Sequence, residues 1–282
     1  MKKIFHFIMC LGVMACSNSN AGNMPETDSV NNNATESIET VASPDTLPSG
    51  VAALIKAYPQ QQLKYEDNKI VFSDGSSMAW DDGKQKEFVE KMEEADIEDM
   101  FTLKYDRGEE PEYLADGGRC RCQDFFMKMY GNSEANVSKN MVRVDWFGQK
   151  LWMSTINGVN KQLEAVARDI AENPDLLKYM SNSSSFNWRV VRGTQNRLSA
   201  HSYGVTLDVS TSYSDYWLWK NGNVSETAHI KYANRIPLKL VEIFEKYGFI
   251  WGGHWYHYDT MHFEYRPEIL IHAGLDVTFV EP

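Results

Sequence analysis

The chain has 282 residues, enough for one sizeable core or two small ones. Its formal net charge is -11, with 28 basic against 39 acidic side chains and no basic stripe. That balance argues against nucleic acid as a partner and against electrostatic attraction to anionic lipid.

The amino terminus reads as a targeting segment. Lys2 and Lys3 precede a short apolar stretch, Ile4 to Ala15, that is too short to span a bilayer. It ends in Val13-Met14-Ala15-Cys16, which resembles a bacterial lipoprotein signal. Residues 1–15 are therefore expected to be removed and Cys16 to be lipidated. Residues 16–47 are rich in Ser, Asn, Thr, Glu and Pro, cannot bury a core, and read as a flexible tether. These segments together imply a monomeric envelope protein, lipid-anchored to a bacterial membrane and facing the periplasm. Cys120 and Cys122 are spaced too closely for an easy disulfide with each other and too few for structural zinc, so they read as incidental thiols.

Residues 48–139 read as an accessory region without a catalytic constellation. Lys69 to Phe72 reads as a strand followed by the turn-rich Ser73 to Ser77, and Gln85 to Met100 as a helix with an acidic exposed face. This region is expected to pack on the domain that follows or to cover part of its groove. From about residue 140 to the end the pattern becomes α+β. Leu163, Val166, Ala167 and Ile170 fall on one face of a helix that stops near Asn173-Pro174. Trp188 to Val191 reads as a strand. Val205 to Ser210 alternates apolar and polar residues, as a half-buried strand does. Pro237 opens a helix with Leu240, Val241 and Phe244 on one face and Gly248 closing it. Phe249 to Trp251 and His262 to Tyr265 are the last strand candidates.

Two segments carry candidate chemistry: Ser199-Ala-His-Ser-Tyr-Gly-Val-Thr-Leu-Asp208 and Trp251-Gly-Gly-His-Trp-Tyr-His-Tyr-Asp-Thr-Met-His-Phe-Glu264. In the first, Asp208 shares a strand face with Thr206 and Ser210. His201 lies just before that strand, and Gly204 permits a tight bend between them, so a His and a carboxylate can converge. A catalytic zinc takes three such ligands and keeps one open position. The third can come from the second segment, where His262 and Glu264 share a strand face. Asp259, three residues before His262, is placed to move protons between water and a leaving amine. A lone His-x6-Asp pair is more often structural than catalytic, so the weight rests on the two segments together.

The first segment is similar to the S-x-H-x-x-G-x-x-x-D motif of the D-Ala-D-Ala carboxypeptidase and L-alanyl-D-glutamate endopeptidase family of zinc peptidases. The second resembles that family's closing motif, with an acid three residues before the last zinc His. Trp251-Gly252-Gly253, Asp259 and His262-Phe263 are closest to the endopeptidase branch. The resemblance covers roughly residues 140–270. It implies an α+β fold in which a small antiparallel sheet bears the site and helices pack on its other face, as in hedgehog and D-Ala-D-Ala peptidase domains. It implies one Zn²⁺ held by His201, Asp208 and His262, Asp259 as general base and acid, and an arginine that stabilises the oxyanion. Arg189 is the choice for that arginine, with Arg192 and Arg197 also available. Ser199, His257 and Trp251 are expected to meet substrate, a peptidoglycan stem peptide. The rival reading is an envelope lipoprotein that keeps the fold and binds wall peptides without cutting them. Among the remaining residues, Glu264 is a candidate to orient His262. Trp217, Trp219 and Trp255 are candidates to line a groove, and His254 to sit near its rim.

Overall fold

A computed structural model describes residues 47–194 and 196–281. The expected signal peptide, Cys16 and all of the tether but Leu47 lie outside the described residues. None of the described helices is long and apolar enough to cross a membrane. Mixed helices and small antiparallel sheets make up the structure.

The chain opens with helix α1 (Ser49–Ala57) and an antiparallel meander of β1 (Lys64–Glu66), β2 (Lys69–Val71) and β3 (Ser77–Ala79). The segment expected to be a helix from Gln85 to Met100 is two pieces, α2 (Phe88–Glu94) and a 3-10 turn over Glu98–Phe101. Asp96 interrupts it. Its carboxylate accepts the Asp99 N–H at 2.9 Å while Asp99 accepts the Asp96 N–H at 3.1 Å, a reciprocal cap that starts a new turn. Helices α3 (Gln123–Tyr130) and α4 (Glu134–Ser138) follow. Next comes a hairpin that the sequence reading passed over, β4 (Met141–Trp146) with β5 (Gln149–Ser154). Its two-residue turn, Phe147-Gly148, has φ of 44° and 82°.

Helix α5 (Val159–Ala171) buries Val159, Leu163, Val166 and Ile170, and Asn173-Pro174 follows it as expected. The segment from Trp188 to Val191 is not a strand. It makes one isolated bridge, Val190 to Leu198, because Val190 and Arg189 are exposed and no apolar face opposes them. Then come β6 (Thr206–Asp208), α6 (Trp217–Asn221), α7 (Leu238–Lys246), β7 (Phe249–Trp251), β8 (His262–Tyr265) and α8 (Pro267–His272).

The sheet that matters for the site is antiparallel, in the order β6-β8-β7. Its register pairs Thr206 with Glu264, Leu207 with Phe263 and Asp208 with His262. Opposed residues project to the same face, so Asp208, His262, Thr206 and Glu264 share one side. Leu207, Phe263 and Trp251 share the other, which is apolar and packs on α7. There Phe244 stacks on Phe263 with ring centroids 3.9 Å apart. The region before residue 140 joins this same core: Val51, Leu54, Phe125 and Phe126 belong to one buried cluster with Leu163, Phe244 and Phe263. Helix α1 packs on α8, and the Tyr58 hydroxyl donates to Glu268 at 2.5 Å.

Candidate metal centre and its cavity

His201 sits in a 3-10 turn, Ala200–Tyr203, that Gly204 closes in a left-handed conformation at φ 67°. A Cβ on Gly204 would meet only the movable end of the Met141 side chain at close range, so it is the left-handed backbone that favours glycine there. The turn brings His201 back over the end of β6. Its Nε2 lies 3.2 Å from Asp208 Oδ2, and His262 Nδ1, from the opposed strand, lies 3.1 Å from Asp208 Oδ1. One ligand atom from each of the three residues falls within 4.8 Å of the others.

The donor set fits a tetrahedral metal. Ligand atoms about 2.0–2.2 Å from a zinc ion stand roughly 3.3–3.6 Å from one another in a tetrahedron, inside the 4.8 Å that bounds the ligand atoms of this cluster. Each imidazole is also oriented from behind. His201 Nδ1 is 2.5 Å from the Ser185 carbonyl, and His262 Nε2 is 3.4 Å from Glu264 Oε2. With a metal bound, those acceptors would hold the proton on the outer nitrogen and leave the lone pair of the inner one for the shared point. Burial disfavours a charged Asp208, but the two imidazoles outweigh it and hold the carboxyl well below the usual carboxylate range.

Glu264 is fully buried and is itself held by Arg121 at 3.1 Å and Arg266 at 3.4 Å. Burial would raise its pKa; Arg121, His262 and Arg266 bring it down to about 2. Glu264→Gln, which keeps an acceptor but removes the charge, is expected to weaken zinc binding about 10- to 100-fold in a competitive chelator titration. Unchanged affinity would show that Glu264 does not act through His262.

Asp259 enters the cavity from the loop between β7 and β8. Its backbone N–H donates to Gly252 at 2.9 Å, and its carbonyl accepts the His262 N–H at 3.1 Å. Its Oδ1 is buried without a hydrogen-bond partner. Burial and then the Asp208 charge push its pKa up to about 6. A cation at the three ligands would draw it back down.

These residues border a cavity of about 200 Å³. Of the remaining expected site residues, Ser199, His257 and Arg189 line it, and so do Arg192 and Arg197. Trp251 does not. It is 0% exposed, its indole N–H donates to the Thr260 carbonyl at 2.9 Å, and it packs on Phe263, so it is a core residue on the far face of the sheet. Trp217 and Trp255 line the cavity instead, while Trp219 is exposed outside it. His254 is also turned away, buried between Tyr105 and Trp251, where burial and Arg107 lower its pKa to about 4.

The sequence reading missed Arg119 and Arg121, which line the cavity from the region before residue 140. They sit on the loop Asp116-Gly117-Gly118-Arg119-Cys120-Arg121. A Cβ on Gly117 would fall 2.4 Å from the Tyr105 backbone nitrogen, and one on Gly118 would fall 2.3 Å from Ile250. Gly117 lets this loop press against the Lys104–Tyr105 backbone and Gly118 against Ile250 of β7, which delivers both arginines to the site. The Gly-Gly step between charged residues was the available signal. Five of the chain's ten arginines thus line one cavity, so an acidic protein carries a locally cationic cleft. Arg119, Arg121 and Arg197 are ion-paired with Glu226, Glu264 and Glu93, whereas Arg189 and Arg192 are exposed and make no ion pair among the described residues.

Two other acidic groups have metal-like spacing, Asp81-Asp82-Asp96 and Asp96-Glu98-Asp99. The Lys86 ammonium stands between them, 3.3, 3.2 and 2.6 Å from Asp82, Asp96 and Asp99, and supplies the positive charge itself. Cys120 and Cys122 are free and buried. Burial raises the Cys120 thiol to about 12, in keeping with an inert side chain.

Residues 192–265 match a family model described as D-alanyl-D-alanine carboxypeptidase. The match spans 74 of the 282 residues and contains His201, Asp208, Asp259 and His262. No curated protein and no solved structure matches the chain.

Proposed function

We propose that this chain is a zinc-dependent peptidase that hydrolyses a peptide bond in peptidoglycan stem peptides. The observation that carries the reading is the convergence of His201 Nε2, Asp208 and His262 Nδ1 beside Asp259, whose buried Oδ1 has no hydrogen-bond partner among the described residues. The family match over the same segment supports it. The lipoprotein-like start of the chain, with Cys16 as the anchor, adds an envelope location beside that polymer.

Zinc bound by the three residues would polarise the scissile carbonyl and acidify a water molecule. The chain's own groups do the rest. Asp259 accepts the proton of the attacking water and returns it to the departing amine. Asp259 lines the cavity, and its Oδ1 has no hydrogen-bond partner among the described residues to compete for that proton. Arg189, which makes no ion pair among the described residues, offers its guanidinium to the oxygen that becomes negative, and Arg192 stands beside it in the same condition. The cationic cleft suits a substrate that carries carboxylates, as stem peptides do.

The test is to incubate the purified protein with a defined set of muropeptides and weigh the products. Zinc-loaded protein is expected to release one amine and one carboxylate fragment per cut, and a chelator is expected to stop the release. Readdition of zinc should restore it. If zinc-loaded protein binds muropeptides yet releases no fragment, the chain is a wall-binding lipoprotein instead. The mass of the fragments identifies the bond, distinguishing removal of a terminal D-Ala from a cut inside the stem.

A further inference from the structure

Asp116 and His257 form a buried pair that the reaction outlined above does not use. Asp116 is 0% exposed and His257 1%. The two residues meet twice. Asp116 Oδ1 accepts the His257 backbone N–H at 3.0 Å, and Oδ2 lies 2.5 Å from His257 Nδ1. Arg119 stands 3.1 Å from the same Oδ2. Burial alone would favour the neutral acid, but Arg119 and then His257 hold Asp116 below its ordinary pKa, so it is a carboxylate and only accepts. The proton between them therefore sits on Nδ1.

In the neutral ring the other nitrogen, Nε2, carries a lone pair. It is buried and has no hydrogen-bond partner; the nearest carboxylate oxygen, Glu226 Oε2, is 3.9 Å away. The ring cannot turn to find one. Phe88 stacks on it with centroids 5.6 Å apart, and the edge of Trp217 is at 4.7 Å. The imidazole borders the same cavity as Asp259, His201 and His262. Buried polar atoms of this kind normally have a partner, and the cavity that the His257 ring borders is where a substrate would supply one.

We propose that His257 contacts the bound peptide, its Nε2 lone pair accepting a hydrogen bond from a substrate N–H, and that Asp116 is the positioning residue that fixes this tautomer. The inference rests on the peptidase reading and, through Asp116, extends the site into a segment outside residues 192–265.

Three substitutions and one spectroscopic measurement test it on the zinc-loaded full chain. His257→Asn keeps an N–H for Asp116 but places nothing at Nε2. It is expected to lower kcat/KM for a cleaved muropeptide about 10- to 100-fold, mainly through KM. His257→Gln carries an amide oxygen near the lost Nε2 and is expected to recover much of that loss. Asp116→Asn should fall with His257→Asn, at unchanged zinc content, because an amide can turn its N–H toward Nδ1 and select the wrong tautomer; its Tm should drop, since Arg119 loses a buried carboxylate partner. In ¹⁵N spectra the wild-type His257 ring should carry its proton on Nδ1, and the Nε2 signal should move on addition of muropeptide.

A His257→Asn protein with wild-type KM and kcat overturns the proposal, as does a ring protonated on Nε2 alone. Should Asp116→Asn fail to fold, the His257 pair of variants and the spectra still decide. If the wild type cuts no muropeptide, the peptidase reading fails by itself. A ligand-induced Nε2 shift would then still support the contact, and its absence would overturn it.

Discussion

Replacing Asp259 with Asn is expected to lower muropeptide hydrolysis on the order of 10³-fold while zinc content stays at one ion per chain. The size follows from what a positioned general acid and base contributes, roughly 10²- to 10⁴-fold. Asn has the shape of Asp but cannot take a proton from water. Asp259 is not among the three residues whose ligand atoms converge, so the metal should remain. Stability provides a second readout that points the other way. Asp259 Oδ1 is buried without a partner, and the Asp208 charge lies close enough to disfavour ionisation of the Asp259 carboxyl. In metal-free protein, removing that charge should leave Tm unchanged or raise it, the pattern of a residue kept for activity at a cost in stability. Activity within tenfold of wild type would remove Asp259 from the mechanism. A loss of zinc with the activity would instead make it part of the metal site.

Much of this site can be read from the sequence because its parts are local. The x-H-x6-D spacing needs only a turn closed by Gly204 and a short strand, and both occur over 200–208. The second segment carries its acid and its His three residues apart, so one short loop sets their geometry. What joins the two segments is long-range, the pairing of β6 with β8 that puts Asp208 directly opposite His262. Strand alternation indicates the face each residue occupies but not its partner, and here the family resemblance supplied what periodicity could not.

The less legible features depend on contacts that no local pattern encodes. Trp251 stands in a motif of expected substrate residues, yet strand parity puts it with Phe263 and Leu207 on the apolar face, where α7 covers it. The same parity argument applied to β7 and β8 together would have placed it there. Trp188 to Val191 has strand-like composition but no apolar neighbour to bury it. The contribution of residues 116–121 was hidden for a different reason. Arginines on a glycine-paired loop read as a solvated turn until the loop is seen against β7, and its chemistry becomes visible only with Glu264, about 140 residues away, at the other end of an ion pair.

That ion pair belongs to a buried network, and breaking the network at Arg266 should destabilise the fold more than any of the site substitutions above. Arg266 is fully buried. Its Nε donates to Glu268 at 2.5 Å, its Nη1 donates to the Gly118 carbonyl at 2.7 Å and reaches Glu264 at 3.4 Å, and its guanidinium lies over the Phe126 ring at 4.9 Å. Glu268 in turn accepts from Tyr58 of α1. One guanidinium therefore links α1, the 116–121 loop, β8 and α8. Arg266→Met keeps the length and apolar contact of the stem but leaves Glu264 and Glu268 buried with too little positive charge nearby. Breaking a buried pair in this way costs about 3–5 kcal/mol, a large share of a domain's stability. Urea unfolding should show a loss of unfolding free energy of that size, read as a lower midpoint at unchanged m. A double variant, Arg266→Met with Glu268→Leu, removes one of the stranded charges and should regain part of the loss, the non-additivity expected of contacting groups. Zinc affinity supplies the discriminating measurement. Glu264 keeps Arg121 in both variants, so His262 should stay oriented and the metal should bind the folded fraction nearly as before. An Arg266→Met protein within about 1 kcal/mol of wild type would show that Arg121 alone neutralises the cluster, and that the link from α1 to the metal face is dispensable.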